Sequence, residues 1–158
     1  MSKNKFVSYR GDGFWAYDVA HDILLKHLID VAKPRADLPG NAWLADAMHQ
    51  WGIECIQDLG LMVEETWPAA QFTELLEVAC RVLKQRDGIP AEEVESWVVL
   101  EDIWLCVRGE KVVLTQPIIE LGEAIIALVH GSLPPPPDGT SWSYGWPGGP
   151  ITFPCAPI

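Results

Sequence analysis

The chain of 158 residues carries 22 acidic against 11 basic side chains, a formal net charge of −11, and is 49% hydrophobic. That size and composition predict one globular domain whose core needs no disulfide or metal staple. The charge argues against anionic partners, so neither nucleic acid nor an anionic membrane face is expected, and a basic protein is the natural electrostatic complement.

Met1 to Lys5 is polar and charged, with no apolar run behind it, which predicts a cytoplasmic chain without signal or anchor. The first predicted helix runs from Phe14 to about Ala32, entered through Gly11-Asp12-Gly13 and stopped before Pro34. Its apolar face is Phe14, Tyr17, Leu24, Leu25, Leu28 and Val31. After a connector, Asn41 reads as the N-cap of a second helix extending towards Glu65, with Gly52 and Gly60 as possible breaks. Leu44, Met48, Trp51, Cys55, Leu59 and Met62 form its expected stripe.

Pro68 suits the first turn of a third helix, on which Phe72, Leu75, Leu76, Ala79 and Leu83 recur at helical spacing. Pro90 opens a fourth, with Glu92, Glu93 and Glu95 near its positive end. Trp104 to Val107 and Lys111 to Leu114 flank Arg108-Gly109-Glu110 and read as a small hairpin. Pro117 starts a last helix, apolar on nearly every side, that Gly131 terminates as C′ residue.

The expected fold is therefore mainly α: about five helices packed as a bundle-like domain over residues 1–131, with a possible small β-hairpin. Residues 132–158 form an extended tail rich in proline, glycine and aromatics. Disordered segments are poor in aromatic residues, so the tail is expected to pack back on the same domain.

Short catalytic signatures are lacking. There is no G-x-S-x-G, no phosphate-binding loop, and no metal-ligand spacing among Cys55, Cys80, Cys106 and Cys155, which are expected as buried free thiols. Neither a catalytic residue, a metal nor a cofactor is assigned. One constellation is suggestive: Asp-x-x-His occurs twice, as Asp18 with His21 and Asp46 with His49. Residues three apart share a helix face, and di-metal helical bundles use a similar carboxylate–histidine pair. On the helical wheel the first pair falls towards the core and the second towards solvent. A buried His21 bonded to Asp18 or to backbone is the simpler expectation. Glu64-Glu65 and Glu101-Asp102 are adjacent carboxylates that point about 100° apart on a helix and do not converge on one atom.

Charge is more informative than motif. Residues 40–110 hold 14 acidic and 4 basic side chains, a net of −10, so nearly all the formal charge lies mid-chain. Glu92, Glu93 and Glu95 are explained by a helix N-terminus, whereas Glu64 and Glu65 fall at the unfavourable end of the second predicted helix. Eight tryptophans add possible binding anchors, with Trp15 and Trp43 off the main stripes. The expected partner-binding residues are Glu54, Asp58, Glu64, Glu65 and Trp43.

In size, acidity and lack of catalytic motif the chain resembles the small acidic immunity proteins with which bacteria neutralise a toxin in their own cytosol. That resemblance implies a non-catalytic protein that occludes a basic toxin or effector. Gly13 to Ala20 reads like a family signature with no function attached to it. Two other readings remain open: a helical metal-dependent enzyme built on Asp18 and His21, and a scaffold whose Pro/Trp tail docks elsewhere.

Overall fold

The computed structural model describes residues 4–100 and 103–155. Where the sequence suggested a mainly α bundle, the fold mixes helices with a four-stranded sheet and two short two-stranded pairings. The correction begins at the N-terminus. Strand β1 (Asn4–Tyr9) pairs antiparallel with β2 (Asp12–Tyr17), joined through Arg10 and Gly11, both at positive φ (50° and 82°). A two-residue loop with both φ values positive matches the right-handed twist of a hairpin. Phe14 and Ala16 point inward and Trp15 outward, a period of two that displaces the helical reading of that segment.

Helix α1 (Asp18–Ala32) follows directly and is the hub of the helical layer, packing on α2 (Trp43–Ile56), α3 (Ala69–Leu83) and α5 (Thr115–His130). The third and last helices match their apolar stripes closely. Phe72, Leu75, Leu76, Ala79 and Leu83 are all buried, and Pro117 lies in the first turn of α5. Gly131 ends that helix in the left-handed region at φ 71°, and Ser132 N–H donates to Ala127 O at 2.9 Å. No helix among the described residues is long and apolar enough to cross a membrane.

The expected hairpin between Trp104–Val107 and Lys111–Leu114 is not formed. Arg108 and Gly109 do turn at positive φ, but each flank pairs with an earlier segment. Strand β3 (Gly88–Pro90) pairs with β6 (Val112–Leu114), and β4 (Val98–Leu100) with β5 (Ile103–Trp104). Between them lies α4 (Ala91–Glu95), a short helix whose Glu93 meets Arg86 in an exposed ion pair. Glu101 and Asp102 lie outside the described residues.

The Pro/Trp-rich segment belongs to the main sheet. Strand β7 (Thr140–Tyr144) lies parallel to β2, and β8 (Ile151–Pro154) pairs antiparallel with β7, giving the order β1-β2-β7-β8. Tyr144 packs edge-on against buried Phe14 with ring centroids 4.9 Å apart, and Trp146 stacks on Tyr17 at 4.5 Å. Deleting residues 133–158 would strip β2 of its parallel partner and uncover Phe14. The truncated chain is expected to lose cooperative thermal unfolding and to precipitate; retention of a sharp melt in calorimetry would show that the tail is dispensable.

Candidate functional site: an acidic and apolar groove beside helix α2

The groove is built from a helix that ends early. Helix α2 was expected to reach Glu65 but stops at Ile56. The last carbonyls of a helix lack internal partners, and a cation at that end satisfies them and opposes the helix dipole. Lys5, from β1, does this: its ammonium donates to Glu54 O at 2.7 Å and Cys55 O at 3.3 Å, and pairs with Asp22 of α1 at 2.8 Å. Lys5 itself is only 5% exposed.

Beyond the helix, residues 59–63 run back along β1. Ser8 N–H donates to Leu61 O at 3.0 Å and Val63 N–H donates to Ser8 O at 2.9 Å, a single parallel bridge on the outer edge of the sheet. Gly60 is required there. A Cβ at that position would lie 1.8 Å from Phe6 O and 2.4 Å from Phe6 C, so the two backbones could not approach.

Side chains complete the clamp. Leu61 N–H donates to His21 Nε2 at 3.0 Å, Met62 N–H donates to Glu54 Oε2 at 2.8 Å, and the Gln50 amide donates to Met62 O at 2.9 Å. Because Leu61 is the donor, His21 is the neutral tautomer protonated on Nδ1, which bonds Asp22 Oδ1 at 2.8 Å. Burial holds its imidazole below the usual value, with the Asp22 hydrogen bond opposing. Both ring nitrogens are thereby spent, and no lone pair is left for a metal. The expectation of a core histidine bonded to backbone holds; its carboxylate partner is Asp22, while Asp18 pairs with Arg108 at 2.6 Å. Among the described residues no three His, Cys, Asp or Glu side chains gather as a ligand set.

Between α2 and residues 59–64 lies a cavity of about 440 Å³. Ile53, Leu59 and Met62 supply its apolar wall, and Asp46, Glu54 and Glu64 its carboxylates; His49 and Gln50 also line it, and no Lys or Arg does. Leu59 and Met62 are 52% and 55% exposed, which is high for large apolar side chains. Among the described residues Asp46 and Glu64 make no ion pair. Glu54 is buried, and burial pushes its carboxyl up to about 7, opposed by the Met62 hydrogen bond, the neighbouring Gln50 amide and Lys5.

The five expected binding residues are therefore dispersed. Glu54 and Glu64 meet at the groove. Asp58 lines a second cavity, of about 370 Å³, in which Lys5 pairs with Asp22 and Arg108 with Asp18, and Asp58 has no ion pair among the described residues. Glu65 is paired with Arg10 at 2.9 Å. Trp43 sits at the other end of α2, against Trp51 and Trp67, with its indole N–H donated to Gln71 at 3.0 Å. Leu59 and Met62 were expected in a buried helical stripe; Gly60, already marked as a break, was the signal that the period fails there. Cys106 and Cys155, expected buried, are exposed, unlike Cys55 and Cys80.

Comparison with protein families, with curated proteins and with solved structures found no match for this chain.

Two outcomes follow from this geometry. Gly60→Ala is expected to lower stability by roughly 3 kcal/mol, the upper range for forcing atoms into a packed site, read by urea unfolding. Glu54 has a folded pKa above its unfolded value, 4.5, so the native state binds the extra proton. The stability it contributes is present below about 4.5 and is lost as pH rises through about 7. Glu54→Gln keeps an acceptor for Met62 N–H and is expected to be more stable than the parent by ~2 kcal/mol at about pH 8, with the gain fading near pH 5. A variant that is less stable at the higher pH would mean that the ionised carboxylate is stabilised, not penalised.

Proposed function

We propose that the chain is a non-catalytic protein-binding domain that captures a basic protein partner in the cytoplasm, in the manner of the acidic immunity proteins it resembles. The observation that carries this reading is the groove beside α2, where exposed Leu59 and Met62 lie among carboxylates with no Lys or Arg lining the cavity. Interfaces gain affinity from apolar burial at the centre and gain association rate from complementary charge at the rim. Both are supplied here within one concave surface, by residues not used to hold the fold, with the exceptions of Glu54, Gln50 and Gly60. The whole-protein charge of −11 adds long-range attraction for a cationic partner and repels polyanions.

The reading narrows the expected acidic face to a smaller surface. Glu65 is half of an exposed ion pair whose charges cancel at a distance, so the pair adds less to the negative field than Glu64 or Asp46 does. For a basic protein encoded beside this chain, Asp46→Lys with Glu64→Lys is expected to slow association about tenfold at low salt while changing dissociation little. Raising salt to physiological strength should shrink that difference as screening sets in. Stopped-flow binding measures both rates. Affinity indifferent to the double reversal and to salt would exclude the groove as a charge-guided surface.

A further inference from the structure

Glu54 is an expensive residue to keep where it is. Its Oε2 accepts from Met62 N–H, whereas Oε1 is buried with no hydrogen-bond partner among the described residues. A buried acceptor without a donor loses its hydration for nothing, and an ionised one loses more. Glutamine would hold Met62 equally well without a charge. The carboxylate is thus explained by something other than the clamp.

The surroundings say what that could be. Lys5 lies behind Glu54, but its donors go to Glu54 O, Cys55 O and Asp22, whose carboxylate balances its charge. Of the groups that line the cavity with Glu54, Glu64 on the returning segment pushes the Glu54 carboxyl up and the Gln50 amide pulls it down, while Asp46 and His49 lie further along the same helix. Ile53, Leu59 and Met62 give the approach an apolar lining. A groove lined by apolar side chains and carboxylates matches the anatomy of a long basic side chain, which carries a cationic head on an alkyl stem.

We propose that Glu54 is the specificity anchor of the groove, receiving the ammonium or guanidinium of one lysine or arginine from the basic partner while the stem lies between Leu59 and Met62. The inference rests on the groove being the partner-binding surface and names what that surface selects. The free protein then holds the anchor partly protonated near neutrality, since burial pushes the carboxyl up to about 7. An arriving cation favours the ionised form, and the displaced proton leaves to solvent. Binding therefore strengthens as pH rises through about 7 and levels off above. Lys5 opposes the incoming charge and Glu64 assists it.

The test uses the full chain and a capped peptide with one arginine between two leucines, against the same peptide with citrulline, its neutral isostere. Calorimetry in two buffers of different ionisation enthalpy reads affinity and proton release together. The arginine peptide is expected to bind at least about tenfold tighter, with a preference that grows from about pH 6 to about pH 8 and with net proton release. Glu54→Gln should bring the preference near unity and abolish the release, while His49→Gln leaves the pH dependence in place. Carboxyl NMR of the unmutated chain should show the Glu54 titration moving down with the arginine peptide and unmoved by citrulline. If Glu54→Gln keeps the preference and the release, charge is read by Asp46 and Glu64 and the anchor is wrong, although the groove reading survives. If the unmutated chain never prefers arginine at low salt, the groove reading fails and the anchor with it.

Discussion

One buried ammonium organises this molecule. Lys5 leaves solvent almost completely, and the desolvation of a lysine is repaid only when every donor finds an acceptor. Its acceptors come from two other elements: a carboxylate on α1 and two terminal carbonyls of α2. It thereby fixes the strand to both helices at a single point. Removing the ammonium would leave a partly buried Asp22 beside a neutral imidazole and the helix end unsatisfied, so the penalty would spread over three elements.

The clamp beyond Ile56 inherits its geometry from that point. Asp22 is oriented by Lys5 and in turn orients His21, whose other nitrogen receives Leu61 N–H. Glu54, one turn from the helix end, reaches Met62 N–H, and Ser8 on the strand beside Lys5 takes both neighbouring backbone groups. Four backbone groups of an irregular segment are thus satisfied by strand and side chains, and Gln50 satisfies a fifth, Met62 O. The segment can lie flat on the sheet edge, and its alternate side chains divide accordingly. Leu61 and Val63 turn inward, leaving Met62 at the surface with Leu59. An exposed apolar patch here is a by-product of pairing geometry as much as of composition.

The sequence made the amphipathic helices legible and left the sheet largely unread. Helices α3 and α5 carry long apolar periods bounded by Pro68, Pro117 and Gly131, and their limits were found within a few residues. Strand β2 was hidden because Phe14 and Tyr17 also fit the start of a helical stripe, and α1 follows with no intervening loop. The pairing of β2 with β7 joins residues more than a hundred positions apart, which local pattern does not report. Lys5 was equally opaque, because a lysine near a terminus reads as solvated and the two apolar residues that follow it, Phe6 and Val7, are too few to mark a strand. At the candidate site, Glu54 and Glu64 were marked by charge alone. Asp46 and His49 were noted for a different chemistry, and Leu59 and Met62 were assigned to the core.

Net charge favours surfaces of the opposite sign but does not say where on a molecule they would meet it. Of the mid-chain carboxylates, Glu65 is met by Arg10 at the tip of the β1–β2 hairpin and Glu93 by Arg86. Arg10 lies outside the 40–110 window whereas Arg86 lies inside it, seven residues from Glu93, so a count over that window includes the second cancellation and misses the first. What survives cancellation is the useful quantity. Glu64 stands next to a neutralised residue and yet faces the opposite way, into a cavity whose remaining charged lining is Asp46 and Glu54. The second cavity holds more charge and less unbalanced charge, because Lys5 and Arg108 each answer a carboxylate there. Three carboxylates that no lining Lys or Arg answers, beside exposed Leu59 and Met62, distinguish the groove from the second cavity, where Asp58 alone is without an ion pair among the described residues.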